Sequence, residues 1–256
     1  MKNPLDRFPL ASADVKPRLI WAGWGPIGSG KTHFAMGAPG PMLVQSFDKG
    51  LEGVVEGFRQ HGKDIRVVEY DWSPQQQGLD QRDPELQRLA IDVRDKFIAD
   101  FEYALPHVRT IIIDRESDLW EVIRYAQWGA PSDQPKNYAL LYQKYRYLLG
   151  KVKASDINFG CTQGTKIAWD RGAVNPKTGK APGVKTDRIE RWGCDELDGL
   201  VHIDLHHRRE DGHFYIDVGK SRGPGGQDVQ DQSFMDFSFT DLAMMIFPDT
   251  SEADWQ

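Results

Sequence analysis

The segment Gly25-Pro26-Ile27-Gly28-Ser29-Gly30-Lys31-Thr32 fits the pattern G-x-x-x-x-G-K-[ST] and reads as a phosphate-binding loop. It is preceded by Arg18-Leu19-Ile20-Trp21-Ala22-Gly23, which reads as a buried strand, and followed by His33-Phe34-Ala35-Met36, which reads as the opening of a helix. A strand feeding a glycine loop feeding a helix aims several backbone N–H groups at one point, an arrangement suited to a polyphosphate. The residues expected to hold a nucleotide are therefore Gly25, Pro26, Ile27, Gly28, Ser29, Gly30, Lys31, Thr32 and His33. Lys31 is expected to reach the β and γ phosphates of ATP, and Thr32 to place its hydroxyl on Mg2+.

Hydrolysis needs further groups. Thr110-Ile111-Ile112-Ile113-Asp114 is an apolar strand ending in a carboxylate, and a buried parallel strand delivers its last side chain to the sheet edge where the phosphate loop lies. Asp114 is thus the Walker B candidate, holding the metal through water. Glu116 reads either as a second acid or as a first-turn helix charge. Met42-Leu43-Val44 opens a strand whose carboxyl end carries Asp48, the first choice for a water-positioning acid over a plain turn aspartate. Gln163 follows the apolar run Ile157 to Thr162. It reads either as a contact to the γ phosphate that reports its loss, or as a loop anchor.

These groups need a frame. The runs at Met42, Ile65, Thr110 and Ile157 are separated by helical or mixed segments, which predicts an α/β fold with a mainly parallel sheet flanked by helices. Leu200 to Leu205 and Phe214 to Val218 flank Arg209-Glu210-Asp211-Gly212, whose Asp-Gly pair predicts an antiparallel hairpin at the sheet edge. Helices are predicted over Glu85 to Tyr103 and Asn137 to Val152, the latter with a tyrosine stripe read as core packing. With 256 residues, a single domain is expected, with an N-terminal arm over 1–16 and a flexible tail over 248–256. Only Cys161 and Cys194 occur, without metal spacing, and no apolar stretch approaches about 18 residues. A reduced, cytoplasmic protein with no membrane span is expected. His202, Asp204 and His206 read as the wet face of an edge strand rather than as a metal site.

The formal net charge is −6, which excludes a uniformly basic nucleic-acid coat and leaves a local patch. Lys166 to Arg191 supplies one: Lys166, Arg171, Lys177, Lys180, Lys185, Arg188 and Arg191 stand against Asp170, Asp187 and Glu190, a balance of +4. Its turn-rich sequence predicts a mobile loop or ribbon, bracketed by Trp169 and Trp192. Aromatic faces among cations suit single-stranded DNA, the bases stacking while the cations meet phosphates. A solvated charged loop is the alternative.

The phosphate loop, Asp48 before Gly50-Leu51, Thr110 to Asp114, and Phe159-Gly160-Cys161-Thr162-Gln163 occur in the order of the RecA-like ATPases. The chain resembles the short phage RecA-like proteins of single-strand annealing and recombination over roughly Arg18 to Phe247. Where that family carries an Asp-Thr-Glu-Gly-Gly-like run, this chain has Ser46-Phe47-Asp48-Lys49-Gly50, so a shorter acid replaces the glutamate and hydrolysis is expected to be slow. The resemblance implies a DNA-binding loop after Gln163. It also implies a homo-oligomer, ring or filament, in which Lys220 and Arg222 meet the nucleotide of a neighbouring subunit. A single-strand-binding protein is a further candidate partner, and a phage-encoded chain would act in the host cytoplasm. The rival readings are a small-molecule kinase built on the same loop and a nucleotide-gated scaffold with negligible hydrolysis.

Overall fold

A computed structural model describes residues 17–48, 50–51, 53–73, 83–129, 138–171 and 183–256, the side chain of Arg171 excepted. The apolar runs form the strands β1 (Ile20–Trp24), β2 (Met42–Ser46), β3 (Ile65–Glu69) and β4 (Thr110–Asp114), followed by β5 (Asn158–Arg171) and β7 (Ile203–Glu210). These lie parallel in the order β3-β2-β4-β5-β1-β7. Beyond β7 the sheet turns antiparallel through β8 (His213–Ser221) and β9 (Ser233–Met235). The β7 to β8 hairpin turns at Asp211 and Gly212, both with positive φ, as the Asp-Gly signal requires. This is the α/β arrangement expected from the sequence, a mainly parallel sheet with an antiparallel hairpin toward one edge.

Both faces of the sheet are covered, which is why the central strands are continuously apolar. On one face Ile111, Ile113 and Phe159 pack with α3 (Pro84–Ala104), α4 (Glu116–Trp128) and α5 (Ala139–Ala154). The alternate residue Ile112 joins the other face, with Trp21, α1 (Lys31–Met36) and α8 (Phe239–Ile246). That alternation is the strand period of two, and it fixes the register that brings Asp114 to the carboxyl edge. The shorter helices α2 (Val54–Gln60), α6 (Leu197–Leu200) and α7 (Gly226–Val229) complete the frame. Tyr138, Tyr142 and Tyr145 pack on Trp120, whereas Tyr147 is exposed and its hydroxyl donates to Glu102 Oε1 at 2.6 Å.

One difference from the sequence reading stands out. The expected flexible tail at 248–256 instead ends in a 3-10 turn, Glu252–Trp255, started by a reciprocal Ser251/Asp254 cap. It docks Trp255, 1% exposed, against Phe239 and Phe247. The basic segment is a ribbon: β5 overruns the sheet and pairs antiparallel with β6 (Gly183–Trp192). The arm at 1–16 and the cations Lys177 and Lys180 lie outside the described residues. Among the described residues no helix is long and apolar enough to cross a membrane.

Candidate nucleotide site

The phosphate loop leaves β1 and enters α1, and its backbone is shaped by glycine. Gly28 and Gly30 take φ of 77° and 87°, conformations that side chains with a Cβ rarely adopt. A Cβ on Gly25 would come within 2.0 Å of the His207 carbonyl oxygen, so the strand exit itself requires glycine. Lys31 curls back over the loop, its Nζ donating to Gly25 O at 2.9 Å and Pro26 O at 2.7 Å. These are neutral acceptors, and burial holds the Lys31 pKa below its usual value, with Asp114 pulling the other way. A phosphate oxygen would supply the missing counter-charge to this amine.

Asp114 meets the loop from the adjoining strand end. Its Oδ1 accepts from Thr32 Oγ1 at 3.1 Å and from Thr162 Oγ1 at 2.8 Å. Burial raises its pKa, and the two threonine hydrogen bonds oppose the rise. A buried carboxylate touching the loop threonine fits a divalent cation held between them through water, because such an ion would offset the desolvation. The cavity at this edge has a volume of about 650 Å³ and is lined by the whole loop together with Asp48, Asp114, Arg115 and Thr162. Arg115 and Thr162 were not singled out from sequence. Arg115 sits at φ 61° between β4 and α4, a position with no local sequence signal. Thr162 is the polar residue at the end of an apolar strand, beside Gln163, and could have been noticed there.

Asp48 lines the cavity and is half exposed, but it is engaged: Arg115 Nη1 lies 3.3 Å from its Oδ2, and its Oδ1 accepts from Gly50 N at 3.2 Å. Glu116 and Gln163 are placed differently. Both are fully buried, and Gln163 Nε2 donates to Glu116 Oε2 at 2.6 Å. Glu116 also accepts from the Tyr145 hydroxyl and from Cys194 N at 3.3 Å. Gln163 is thus held by its Nε2 on Glu116 while it also lines the cavity beside Thr162, and Glu116 is a buried acceptor rather than a solvated first-turn charge. Next to it, Ser117 Oγ accepts from Gly164 N at 2.8 Å and donates to Trp192 O at 2.7 Å. The start of α4 therefore clamps both roots of the ribbon, and Gly164, Thr165 and Trp192 at those roots line the nucleotide cavity.

Burial pushes the Glu116 carboxyl up to about 7, against the donors that favour its charged form. Its protonated form thus favours folding: that stabilisation is complete below about 4.5 and is lost as pH rises through about 7. Thermal unfolding followed from about pH 5 to about pH 8 should therefore show wild type losing stability relative to Glu116→Gln, by up to ~3 kcal/mol. Parallel curves for the two proteins would show that Glu116 does not titrate in this range.

Three cations of the described part of the ribbon are engaged in ion pairs. Lys166 pairs with Glu190 at 3.4 Å, Arg188 pairs with Asp170, and Arg191 pairs with Asp204. The first two pairs are exposed and weak enough to exchange for phosphates, whereas Arg191 and Asp204 are 14% and 15% exposed and form a structural bond. Lys185 lies 5.5 Å from the ring of Trp169, which is 59% exposed. Trp192, at the root, faces the nucleotide cavity instead. Lys220 donates to Val201 O at 3.1 Å and to Asp198 O, and Arg222 N donates to His202 O at 2.9 Å. Both lie near the entry end of β1, with Lys220 ~20 Å along β8 from Phe214, so they do not reach their own chain's phosphate loop. Among the described residues no group of His, Cys, Asp or Glu forms a further metal site.

No protein-family model matches this chain, and no curated protein matches it in sequence. Among solved structures it is similar to the flagellar accessory protein FlaH from Methanocaldococcus jannaschii, at 12% identity and a TM-score of 0.41 over 80% of this chain and 79% of that one. The roles of individual residues therefore rest on this chain's own geometry.

Proposed function

We propose that the protein is a magnesium-dependent, RecA-like ATPase that binds single-stranded DNA and works as a homo-oligomer in phage-type recombination or annealing. The observation that carries the ATPase reading is the hydrogen bond from Thr32 to Asp114, which joins the phosphate loop to the strand-end acid. Thr32 and Asp114 would hold magnesium, which would supply charge neutralisation at the phosphates. Lys31 exchanges loop carbonyls for phosphate oxygens, and Thr32 and Asp114 orient the metal's ligand shell. Asp48 accepts a hydrogen bond from the attacking water once Arg115 releases it, and that release makes turnover slow. Arg115 is then free to meet the charge that develops on the transferred group.

DNA binding is assigned to the β5 to β6 ribbon, through Trp169 stacking and through Lys166, Arg171, Lys177, Lys180, Lys185 and Arg188. Because the ribbon roots line the nucleotide cavity, ATP is expected to control the ribbon's position and so DNA affinity. Labelled oligonucleotide titrated with ATP, with ADP and without nucleotide tests this: affinity should depend on the nucleotide and fall steeply with salt. Neutralising Lys177, Lys180 and Lys185 together should lower the salt slope by up to about 2 while ATP binding stays intact. An unchanged slope would move the DNA site elsewhere. Absence of DNA binding with phosphate transfer to a small acceptor would favour the kinase, and ATP binding without turnover would favour the scaffold.

The oligomer has its own test. Lys220 and Arg222 are assigned to a neighbour's nucleotide, which fits their distance from their own. Mixing Lys31→Ala subunits with Lys220→Ala, Arg222→Ala subunits should restore part of the ATPase activity, because some interfaces then combine an intact loop with intact cations. No recovery in mixtures shown to co-assemble would exclude the role in trans.

A further inference from the structure

A second pocket, of about 410 Å³, adjoins the phosphate cavity and shares Ser29, Gly30, His33 and Phe214 with it, so one ligand can occupy both. Its character is different. Phe58 of α2, Phe214 of β8 and Phe237 form aromatic walls, and His207, 2% exposed, lines it from beneath the loop. Phe214 is the unusual member: 39% exposed near the turn of a hairpin, yet with both its backbone groups bonded. Asp236, at φ 49°, fixes it from both sides, Oδ1 accepting from Phe214 N at 2.9 Å and its own N–H donating to Phe214 O at 2.7 Å. The other carboxylate oxygen lies 2.7 Å from His213 Nδ1, and that contact is the largest influence holding the Asp236 pKa low. An apolar ring on a backbone anchored at the lip of a polar cavity, shared by both pockets, can receive another flat, apolar surface.

We propose that this pocket seats the purine base of the nucleotide, with Phe214 as the residue that selects for it. The inference rests on the nucleotide reading of the phosphate loop and adds the part of the ligand that the loop does not touch. A purine presents a larger flat face to Phe58, Phe214 and Phe237 than a pyrimidine does. The competing role for Phe214 is purely structural: its ring covers Gly30, where a Cβ would approach it to 2.9 Å. The two roles predict different losses. A base contact affects only ligands that carry a base, whereas a prop under the loop affects every polyphosphate.

Equilibrium binding of ATP, GTP, CTP and inorganic tripolyphosphate, each with magnesium, to the full chain separates them. Wild type should bind ATP and GTP about 10-fold more tightly than CTP. Phe214→Ala should weaken ATP by roughly 10-fold while leaving tripolyphosphate within about twofold, and Phe214→Tyr should restore ATP binding. Phe58→Ala, in the same pocket and outside the loop, should show the same pattern and serves if Phe214→Ala does not fold. Equal binding of CTP and ATP by wild type, or equal loss of ATP and tripolyphosphate in Phe214→Ala, would overturn the inference and leave the phosphate site standing. Binding of neither ATP nor tripolyphosphate by wild type would overturn the nucleotide reading, and this inference with it.

Discussion

ATP affinity should fall by roughly 100-fold or more in Lys31→Ala, because the variant removes the partly buried cation of the phosphate loop itself. The effect should not come from misfolding. In the folded chain Lys31 holds Gly25 O, Pro26 O and Ser29 Oγ, the last at 3.4 Å, all groups of the loop itself rather than of the core. Phe34, Ala35 and Met36 bury the following helix without help from the lysine. Circular dichroism and the unfolding midpoint should stay close to wild type while ATP binding, followed by calorimetry, is lost. A variant that unfolds as wild type does and still binds ATP at wild-type affinity would remove Lys31 from the site.

Asp114→Asn should leave ATP binding largely intact and reduce magnesium-dependent turnover by 10- to 100-fold, the range expected when a group that orients a metal's ligand shell loses its charge. The substitution is nearly isosteric, and an asparagine oxygen can still accept from Thr32 and Thr162. Burial is the main reason the Asp114 pKa is raised, so removing the charge relieves a desolvation cost and stability should not fall. A drop in turnover with unchanged or higher thermal stability distinguishes a metal role from a merely structural one. Wild-type turnover in this variant would remove Asp114 from the metal site.

The parts of this architecture that were legible in the sequence are those set by local rules. Gly25 to Thr32 needs only its own glycines to form a cradle, Thr110 to Asp114 needs only two covered faces, and Asp211-Gly212 specifies its own turn. What stayed hidden depends on partners distant in the chain. Glu116 and Gln163 are 47 residues apart, and only the fold shows that the glutamine amide is turned to a buried carboxylate. Helix α4 escaped notice because its first residues, Glu116, Ser117 and Asp118, are polar yet buried, so periodicity misreads them as surface. The tail had a usable signal: Ser251 to Asp254 is a helix-start pattern ahead of Trp255, and a large apolar residue beyond a cap is expected to dock. Which of the ribbon's cations are paired was hidden, because composition gives their balance of charge and not their partners: Lys166 meets Glu190 across the strands, and Arg191 meets Asp204 from outside the segment.

Steady-state phosphate release at saturating ATP, measured with and without magnesium and with and without a single-stranded oligonucleotide, tests the central claim most directly. A slow, magnesium-dependent release that the oligonucleotide accelerates and that Asp114→Asn suppresses is the predicted result. ATP binding with no release under any of these conditions, or a release rate that Asp114→Asn leaves untouched, would contradict it.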